Sequence, residues 1–322
     1  MVSPAEQPRT GDAPLQEGRN AAANMARATG KALRDFYRRK RLGAIGGIIF
    51  LILILLIPIG PAVAPFDPYS PHGQFKYAGP GTVCNSESSC RENFGKTFWL
   101  GADQLGRDTL SRLLHGAQIS MRVAIISVLV GVTAGALIGM ASAYFGGVID
   151  LVVQRLLDTL MSIPVIILAL AIVAAFGASI TNVILALVII FVTGSGRVIR
   201  AQAMAVRETD YVLAAKAVGA GPVRIILRHI APNCAAPYIV FATANLGYAI
   251  VVEAALSFLG VGAPPDDPTW GGMLAVAGNN FIEVSPWLLL FPGLVICVAV
   301  FSVNLLGDAL RDVLDPRLRG AT

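Results

Sequence analysis

Six long apolar runs constrain the fold of this chain more than any other feature of its sequence. Each run has about the 20 residues that a helix needs to cross roughly 30 Å of hydrocarbon. Of 322 residues, 55% are hydrophobic and only 14% are charged, which is too apolar for an ordinary soluble protein of this length. The sequence therefore predicts an all-α membrane protein with six transmembrane helices, at about residues 43–63, 120–145, 155–176, 179–199, 234–258 and 286–306.

The distribution of basic residues predicts the orientation of these helices. Seven Lys and Arg residues stand between residues 27 and 41, and the positive-inside rule places such a cluster in the cytoplasm. Six crossings return the C-terminus to the same side. The segment 200–233 is then also cytoplasmic and carries five Lys and Arg residues, whereas the opposite segments 177–181 and 259–285 carry none. The outside loop 64–119 carries five, but the rule applies poorly to loops that approach 60 residues.

The rest of the chain is organised around a membrane domain, residues 43–322. Residues 1–26 have no hydrophobic core of their own and are predicted to form a disordered cytoplasmic tail. Residues 27–42 combine basic with apolar and aromatic side chains, which is typical of an amphipathic helix on the inner membrane surface. In the outside loop, residues 103–118 fit a second short helix that begins near one of its two aspartates.

Two of the spans carry features beyond hydrophobicity. In the second span a stripe of small residues recurs every four positions, consisting of Ser127, Gly131, Gly135, Gly139, Ala143 and Gly147. Such a stripe lets another helix backbone approach closely, either from this chain or from another subunit. Pro164 predicts a kink in the third span.

The segment 259–285 is too rich in Gly and Pro for a continuous helix, and we expect it to cap or line a pathway on the outer side.

The sequence offers little support for catalysis by this chain. The patterns HExxH, GxSxG and CxxC are absent, and no metal site is predicted. Cys84 and Cys90 lie in the outside loop, where an oxidising compartment favours a disulfide, and no nearby histidine completes a metal-ligand set. The spans also lack an acidic relay for protons or sodium, because Asp150, Asp158 and Glu253 stand near span ends that can reach an interface or a partner.

The segment 208–233 is the polar region best suited to bind a soluble partner. It begins with two residues that can cap a short helix, Thr209 and Asp210. A face of small and apolar side chains suits insertion into a groove and consists of Tyr211, Ala214, Ala215 and Val218. The helix stops at a glycine-rich end, made of Gly219, Gly221 and Pro222, and the chain re-enters the membrane after Pro232. Because so short a helix is marginal alone, we expect the rest of the segment and a partner to hold it.

This segment resembles the cytoplasmic loop of the permease subunits of ATP-binding-cassette (ABC) importers. That loop has the pattern Glu-Ala-Ala, three further residues and Gly, followed later by Ile-x-Leu-Pro. The matching residues are Ala214, Ala215, Gly219 and Pro232. Leu213 replaces the family glutamate and Ala231 replaces the leucine. These departures concern the contact that the glutamate would make and leave the placement of the loop unchanged.

Three further segments narrow the resemblance to the dipeptide, oligopeptide and nickel group of these permeases, namely 100–120, 253–274 and 307–317. The resemblance implies the type I ABC importer permease fold for residues 43–322, with both termini cytoplasmic. We expect the translocation path or its outer cap to include Glu253, Ser257, Phe258, Pro264 and Trp270. Trp270 would either line the exit of the path or anchor the chain at the membrane interface. Compared with typical permeases of this group, residues 79–98 resemble an inserted segment.

The resemblance also implies an assembly in the bacterial cytoplasmic (inner) membrane. A second, similar permease would form the other half of the pathway, two cytoplasmic ATPase subunits would bind the 208–219 helix, and an external solute-binding protein would deliver substrate. The ATPases would bind ATP and Mg²⁺, while this chain would bind no cofactor and no nucleic acid. Di- or oligopeptides are the expected substrates, with nickel or another small solute as the alternative. A stand-alone secondary carrier or channel and a membrane enzyme are the competing classes.

Overall fold

The computed structural model describes residues 41–85, 93–264, 266–278 and 285–314, and helices dominate it. In chain order the elements are α1 (Arg41–Val63), a 3-10 helix (Gly73–Phe75), β1 (Thr82–Val83), β2 (Thr97–Phe98), α2 (Thr109–Phe145), α3 (Gly147–Met161), α4 (Val165–Phe176), α5 (Ile180–Arg207), α6 (Asp210–Ala217), α7 (Pro222–Ile225), a π-helix (Ile226–Ile230), a second 3-10 helix (Ala231–Cys234), α8 (Ala235–Phe258), α9 (Trp270–Gly278) and α10 (Trp287–Leu314). The predicted tail 1–26 and nearly all of the predicted surface helix 27–42 lie outside the described residues.

The helices account for the six predicted crossings, with one difference. Five helical runs are long and apolar enough to cross a membrane, and a sixth crossing results if α3 and α4 form one broken span. The third span predicted over 155–176 is divided near Pro164 into α3 and α4, which are bent by 91° relative to each other. Pro164 stands directly before α4 in an extended conformation. Proline lacks an N–H and disfavours a helical conformation in the preceding residue, so the predicted kink becomes a break.

The prediction of a separate short helix over 103–118 is wrong. α2 begins at Thr109 and continues through the second span to Phe145 without a break. Its start is fixed by Asp108, whose carboxylate accepts bonds from the backbone N–H and the hydroxyl of Ser111, each at 2.7 Å. Burial raises the pKa of the Asp108 carboxyl, and the bonds from Ser111 oppose that shift. The segment before the second span is therefore the first part of one long helix.

The small-residue stripe of α2 packs against α5 of the same chain. A Cβ atom added at Gly135 would lie 2.4 Å from the carbonyl oxygen of Val192, and one at Gly139 would lie 2.3 Å from that of Gly196. The two backbones are therefore in direct contact, which only glycine permits. Because residue numbers rise together along the contact, α2 and α5 run parallel. For Gly131, Gly135 and Gly139, the open question about the stripe is thus settled in favour of packing within this subunit.

Other glycine contacts assign the two ends of the bundle. Gly43, near the start of α1, lies against Ala309 near the end of α10, while Gly60 lies against Leu114 near the start of α2. Hence α1 runs antiparallel to both helices. The described ends of the chain and the segment 208–233 lie at one end, which we call the 208–233 end, and residues 64–108 lie at the opposite end, the 64–108 end.

A small folded module occupies the 64–108 end, where the sequence indicated only a loop. β1 and β2 pair antiparallel, with Thr82 opposite Phe98. Phe98 stacks on Phe66 with ring centroids 4.6 Å apart, within a buried cluster of aromatic and small side chains. Cys84 belongs to this cluster and is disulfide-bonded. Its predicted partner, Cys90, lies outside the described residues, so that pairing stays a prediction.

Candidate functional site

The segment 208–233 forms a short helix, α6, with the boundaries that its sequence predicts. Thr209 stands at the N-cap position, although its hydroxyl donates to the carbonyl of Val206 at 2.7 Å instead of capping the helix. At the other end Gly219 has a φ of +82°, in the left-handed region that favours glycine. Its N–H bonds to Lys216 O and that of Ala220 bonds to Ala215 O, each at 3.0 Å. This is a Schellman motif, which closes the helix end.

A buried anchor fixes α6 to the body of the protein. Val212 is fully buried, and so are Ile225 and Ile230 farther along the segment. They pack in one cluster with side chains from α2 and α5, among them Met140 and Ile199. Sequence reasoning missed this anchor, although three branched apolar residues within a polar segment were a signal that one side of it is buried. Van der Waals contacts in this cluster therefore tie the short helix to two membrane-spanning helices.

The opposite face of α6 is exposed and largely apolar. Val218 is 85% exposed, and Tyr211 and Leu213 are about half exposed. The predicted face is thus brought to the surface in part: Tyr211, Ala214 and Val218 are exposed, whereas Ala215 is half-buried. Leu213 adds to the apolar area of this face. Exposed apolar side chains grouped at one end of a membrane protein form a surface suited to another protein.

After α6 the chain is helical again from Pro222 onward. Gly221 precedes α7, and Pro222 occupies its first turn. Backbone N–H groups in a first turn have no acceptor within the helix, so proline costs no hydrogen bond at this position. Pro232 then lies inside a helical run that continues to Phe258. The π-helix before it widens the turn, with Ala231 N–H bonded to Ile226 O, and Asn233 Nδ2 donates to His229 O at 2.7 Å. These bonds accommodate the proline without ending the run.

Two contacts connect α6 and its preceding helix to the end of α2. Lys216 Nζ lies over the ring of Tyr144, 5.3 Å from its centroid, which is a favourable placement for a cation. Arg207, the last residue of α5, donates from Nη1 to the carbonyl of Ala143 at 2.8 Å. Carbonyls at a helix C-terminus carry partial negative charge, so an arginine stabilises them. α6 is therefore held by polar as well as apolar contacts.

The predicted pathway residues near the 64–108 end separate into buried and exposed groups. Glu253 is only 2% exposed, and its Oε1 accepts a bond from Ser257 Oγ at 2.8 Å. The expectation that Glu253 reaches an interface or partner is therefore wrong for the chain as described. By contrast, Phe258 and Pro264 are exposed. Pro264 belongs to the irregular segment that follows α8.

Trp270 is an interior residue, and the expectation of an interfacial anchor is wrong. Its side chain is fully buried, with Nε1 donating to the carbonyl of Leu113 at 3.1 Å. A Cβ added at Gly116 would lie 2.8 Å from Trp270 Cδ1, so the indole occupies a recess that this glycine leaves open. The backbone N–H of Trp270 also donates to Ser120 Oγ at 3.3 Å. Trp270 therefore fastens α9 to α2.

Several cavities lie among the spans. One of about 340 Å³, between α8, α9 and α10, is lined by apolar side chains that include the predicted pathway residue Phe258. A groove of about 540 Å³ runs along α8 and α10, lined mainly by apolar side chains with Asn304 among them. A smaller cavity of about 190 Å³ lies between α4, α5 and α8 and contains two polar side chains, Thr193 and Asn245. Within the described ranges, no group of three or more His, Cys, Asp or Glu side chains is arranged to hold a metal ion.

Comparison with known proteins assigns this architecture to transport systems. Residues 131–320 match the family of binding-protein-dependent transport system inner membrane components. Residues 30–80 match the N-terminal transmembrane domain of oligopeptide transport permease C. One solved structure, a chain of the MetNI methionine ABC transporter in inward-facing conformations, aligns with a TM-score of 0.52 at 17% identity, covering 63% of this chain and 96% of that one. That likeness concerns the fold alone, and the predicted fold class, a type I ABC importer permease, is confirmed.

Several curated relatives align over nearly the whole chain. The di/tripeptide transport system permease protein DppC of Pseudomonas aeruginosa is 39% identical, covering 90% of this chain and 93% of its own. A putative peptide transport system permease protein of Brucella suis is 38% identical, and the alignment covers 87% of this chain and 90% of that protein. The glutathione transport system permease protein GsiD of Pectobacterium atrosepticum is 36% identical, covering 89% and 91%. With its fold, its spans and these relatives in agreement, the chain belongs to the family of binding-protein-dependent transport system inner membrane components.

Proposed function

We propose that this chain is one permease subunit of an ATP-driven peptide importer in the bacterial inner membrane. We propose further that the ATPases bind α6, and that conformational changes driven by ATP hydrolysis reach the permease through this helix. The observation that carries the proposal is the exposed apolar face of α6, on a helix fixed from behind by Val212 and closed by Gly219. A short helix presented in this way suits insertion into a groove of a partner protein. Tyr211, Leu213 and Val218 supply the apolar contacts.

The proposed partners at this face are two cytoplasmic ATPase subunits, which bind ATP and Mg²⁺. Exposed basic residues surround α6 at the 208–233 end, among them Lys216, Arg224 and Arg228. The positive-inside rule assigns such an end to the cytoplasm, where soluble ATPases can reach it. The importer fold supports the same arrangement, since the solved relative is a chain of an ABC transporter.

Peptides are the proposed substrate class because relatives that align over nearly the whole chain are named for peptides. The di/tripeptide and putative peptide permeases align over 87% or more of this chain, and glutathione, the cargo named for another relative, is itself a tripeptide. The family description, which refers to binding-protein-dependent transport, supports an external solute-binding protein that docks at the 64–108 end. A second, similar permease is proposed to complete the pathway.

The outer part of the pathway is proposed to have two layers. Phe258 and Pro264 are exposed and would contact substrate or the partner permease at the outer cap. Glu253, Ser257 and Trp270 are buried and would hold the cap in place from beneath. All five predicted pathway residues thus belong to the outer cap, the exposed ones as contact residues and the buried ones as its support.

Uptake measurements test the proposal directly. Cells with and without this gene are supplied with labelled di-, tri- and oligopeptides and, separately, with nickel. Loss of peptide uptake on deletion, restored by the wild-type gene, is expected, with nickel uptake unchanged. Unchanged peptide uptake together with loss of nickel uptake would overturn the substrate assignment. Uptake that continues without any ATPase subunit would overturn the ATP-driven class.

A further inference from the structure

Three arginines on one face of α5 contact the hairpin formed by α2 and α3. Arg197, Arg200 and Arg207 are separated by three and seven residues, which places them on the same side of a helix of 3.6 residues per turn. Arg197 pairs with Asp158 of α3, and Arg200 pairs with Asp150 of α3. Arg207 bonds to a carbonyl at the end of α2, as described above. All three contacts lie toward the 208–233 end of α5.

The Arg200–Asp150 contact has the geometry of a strong ion pair. Arg200 Nε lies 2.6 Å from Asp150 Oδ1, and Nη2 lies 2.5 Å from Oδ2, so the guanidinium meets both carboxylate oxygens. The two side chains are 25% and 17% exposed, against 49% and 47% for Arg197 and Asp158. Ser142 of α2 also donates its hydroxyl to Asp150 Oδ1. One carboxylate therefore joins α2, α3 and α5.

Apolar packing holds α3 at few points. Leu157 is the buried side chain of α3, and it lies against Gly196 of α5, where an added Cβ would be 3.0 Å from Leu157 Cδ1. Most of the other large apolar side chains of this helix are more than half exposed, namely Val148, Ile149, Leu151, Val152 and Leu156. With so little apolar contact to α5, the ion pair has a large share in fixing the position of α3.

α3 also lies between α6 and the bend in the third span. α5 ends at Arg207 and α6 begins at Asp210, so two residues connect them and a displacement of α6 is passed to α5. At its other end α3 leads into α4 through the 91° bend. A link between α5 and α3 therefore completes a continuous physical route from α6 to that bend.

We propose that Arg200 and Asp150 are a positioning pair that makes α3 follow α5 when α6 is displaced, so that the movement reaches the bend before α4. The inference rests on the proposed function, because it assumes that ATPases displace α6. It adds a specific route by which ATP hydrolysis changes the shape of the third span. Without the pair, α6 and α5 still move, and α3 follows incompletely.

The test uses the complete complex, with both permeases, the ATPases and the solute-binding protein, reconstituted in proteoliposomes. Peptide uptake and ATP hydrolysis are measured together for wild type, Asp150→Asn, Arg200→Gln and the charge exchange Asp150→Arg with Arg200→Asp. Arg155→Gln is the matched control, since Arg155 is exposed on the same helix and has no ion-pair partner among the described residues. In each single variant the peptide taken up per ATP hydrolysed should fall about tenfold, within the usual range of coupling between sites.

Further outcomes separate this inference from the function on which it rests. The charge exchange should recover at least part of the lost ratio, and Arg155→Gln should keep the wild-type ratio. A wild-type ratio in both single variants, with normal uptake by the wild-type complex, would overturn the positioning role alone. Absence of ATP-driven peptide uptake in the wild-type complex would overturn the proposed function and this inference with it. If the single variants fail to assemble, an assembled charge exchange with no recovery of the ratio overturns the inference.

Discussion

α5 contacts its neighbours α2 and α3 in two opposite ways. Against α2 the backbones touch along a row of glycines, so neither helix can shift without a steric clash. Against α3 the contact consists of one buried leucine and two ion pairs, and most of the apolar surface of α3 remains exposed. The first interface is close-packed and the second is held at a few points.

This difference indicates which parts of the molecule move together. We expect the α2–α5 pair to move as one rigid body, with α6 attached to it through Val212 and Lys216. α3 can change its angle to that body because long polar side chains reorient more readily than packed backbones. A transporter needs both properties. A rigid element such as the α2–α5 pair transmits a displacement, and a less tightly packed element such as α3 changes its orientation in response.

The largest effect is expected where the close-packed interface is broken. In Gly135→Ala the new Cβ would lie 2.0 Å from Ser195 Oγ and 2.4 Å from Val192 O, so the helices must separate. We expect a loss of about 3 kcal/mol, the upper part of the range for overpacking, measured as unfolding in a denaturing detergent titration. Gly47→Ala in α1 is the control, because its nearest neighbour would be 3.5 Å away. Equal stability of the two variants would contradict the close packing.

Removing the one buried leucine should loosen the α3 interface by a smaller amount. Leu157→Ala is expected to cost about 2 kcal/mol, the low end for a leucine-to-alanine change, because exposed parts of α3 can settle into the gap. The same detergent titration measures the loss. Leu156→Ala, a change of the same size at an exposed position of α3, should leave stability nearly unchanged. If Leu156→Ala is the more destabilising of the two, the description of this interface is wrong.

A local effect of similar or smaller size is expected at the end of α6. Gly219→Val should cost roughly 1–2 kcal/mol because a side chain is strained in the left-handed region, although nothing stands within 4 Å of the added Cβ. Membrane insertion should remain normal while ATP-driven uptake falls. Gly219→Asn is the control, since asparagine tolerates this conformation better. Normal uptake by Gly219→Val, with the protein inserted at wild-type levels, argues against the role of α6.

The smallest effect is expected at the exposed ion pair of α3. Arg197→Gln should change stability by less than about 1 kcal/mol, because solvent and salt screen half-exposed charges. Uptake per ATP should stay within about twofold of wild type, a shift of roughly 0.4 kcal/mol. The comparison is with Arg200→Gln in the same reconstituted complex. An Arg197→Gln variant that loses more coupling than Arg200→Gln would reverse the ranking of the two pairs.

Much of the fold follows from local sequence properties. Hydropathy located the crossings, and Gly219 marked the end of α6, because both signals depend on residues that are close in the chain. The break at Pro164 was predicted only as a kink, since its 91° angle depends on how α3 rests on α5. The sequence offered two aspartates at which the helix after residue 103 could begin, and Asp108 is the one that caps α2.

The parts that the sequence did not predict depend on contacts between distant residues. Trp270 was expected either to line the exit of the path or to anchor the chain at a membrane interface, where tryptophan is common. The recess at Gly116, far away in the chain, accounts for its burial instead. Asp150 and Arg200 are likewise 50 positions apart. In the sequence, Asp150 was noted for its charge and Arg200 was counted among the basic residues of 200–233, yet nothing local indicated that the two side chains meet. Glu253 is likewise buried, which its sequence position did not indicate.

Site-specific cross-linking can show whether the exposed face of α6 binds the ATPase subunits. A photoreactive amino acid replaces Val218, which is 85% exposed on α6, or Val83, an exposed valine at the 64–108 end, in a complex that retains peptide uptake. The account predicts an ATPase cross-link from position 218 and none from position 83. An ATPase cross-link from position 83, or none from position 218 while uptake is normal, would contradict it.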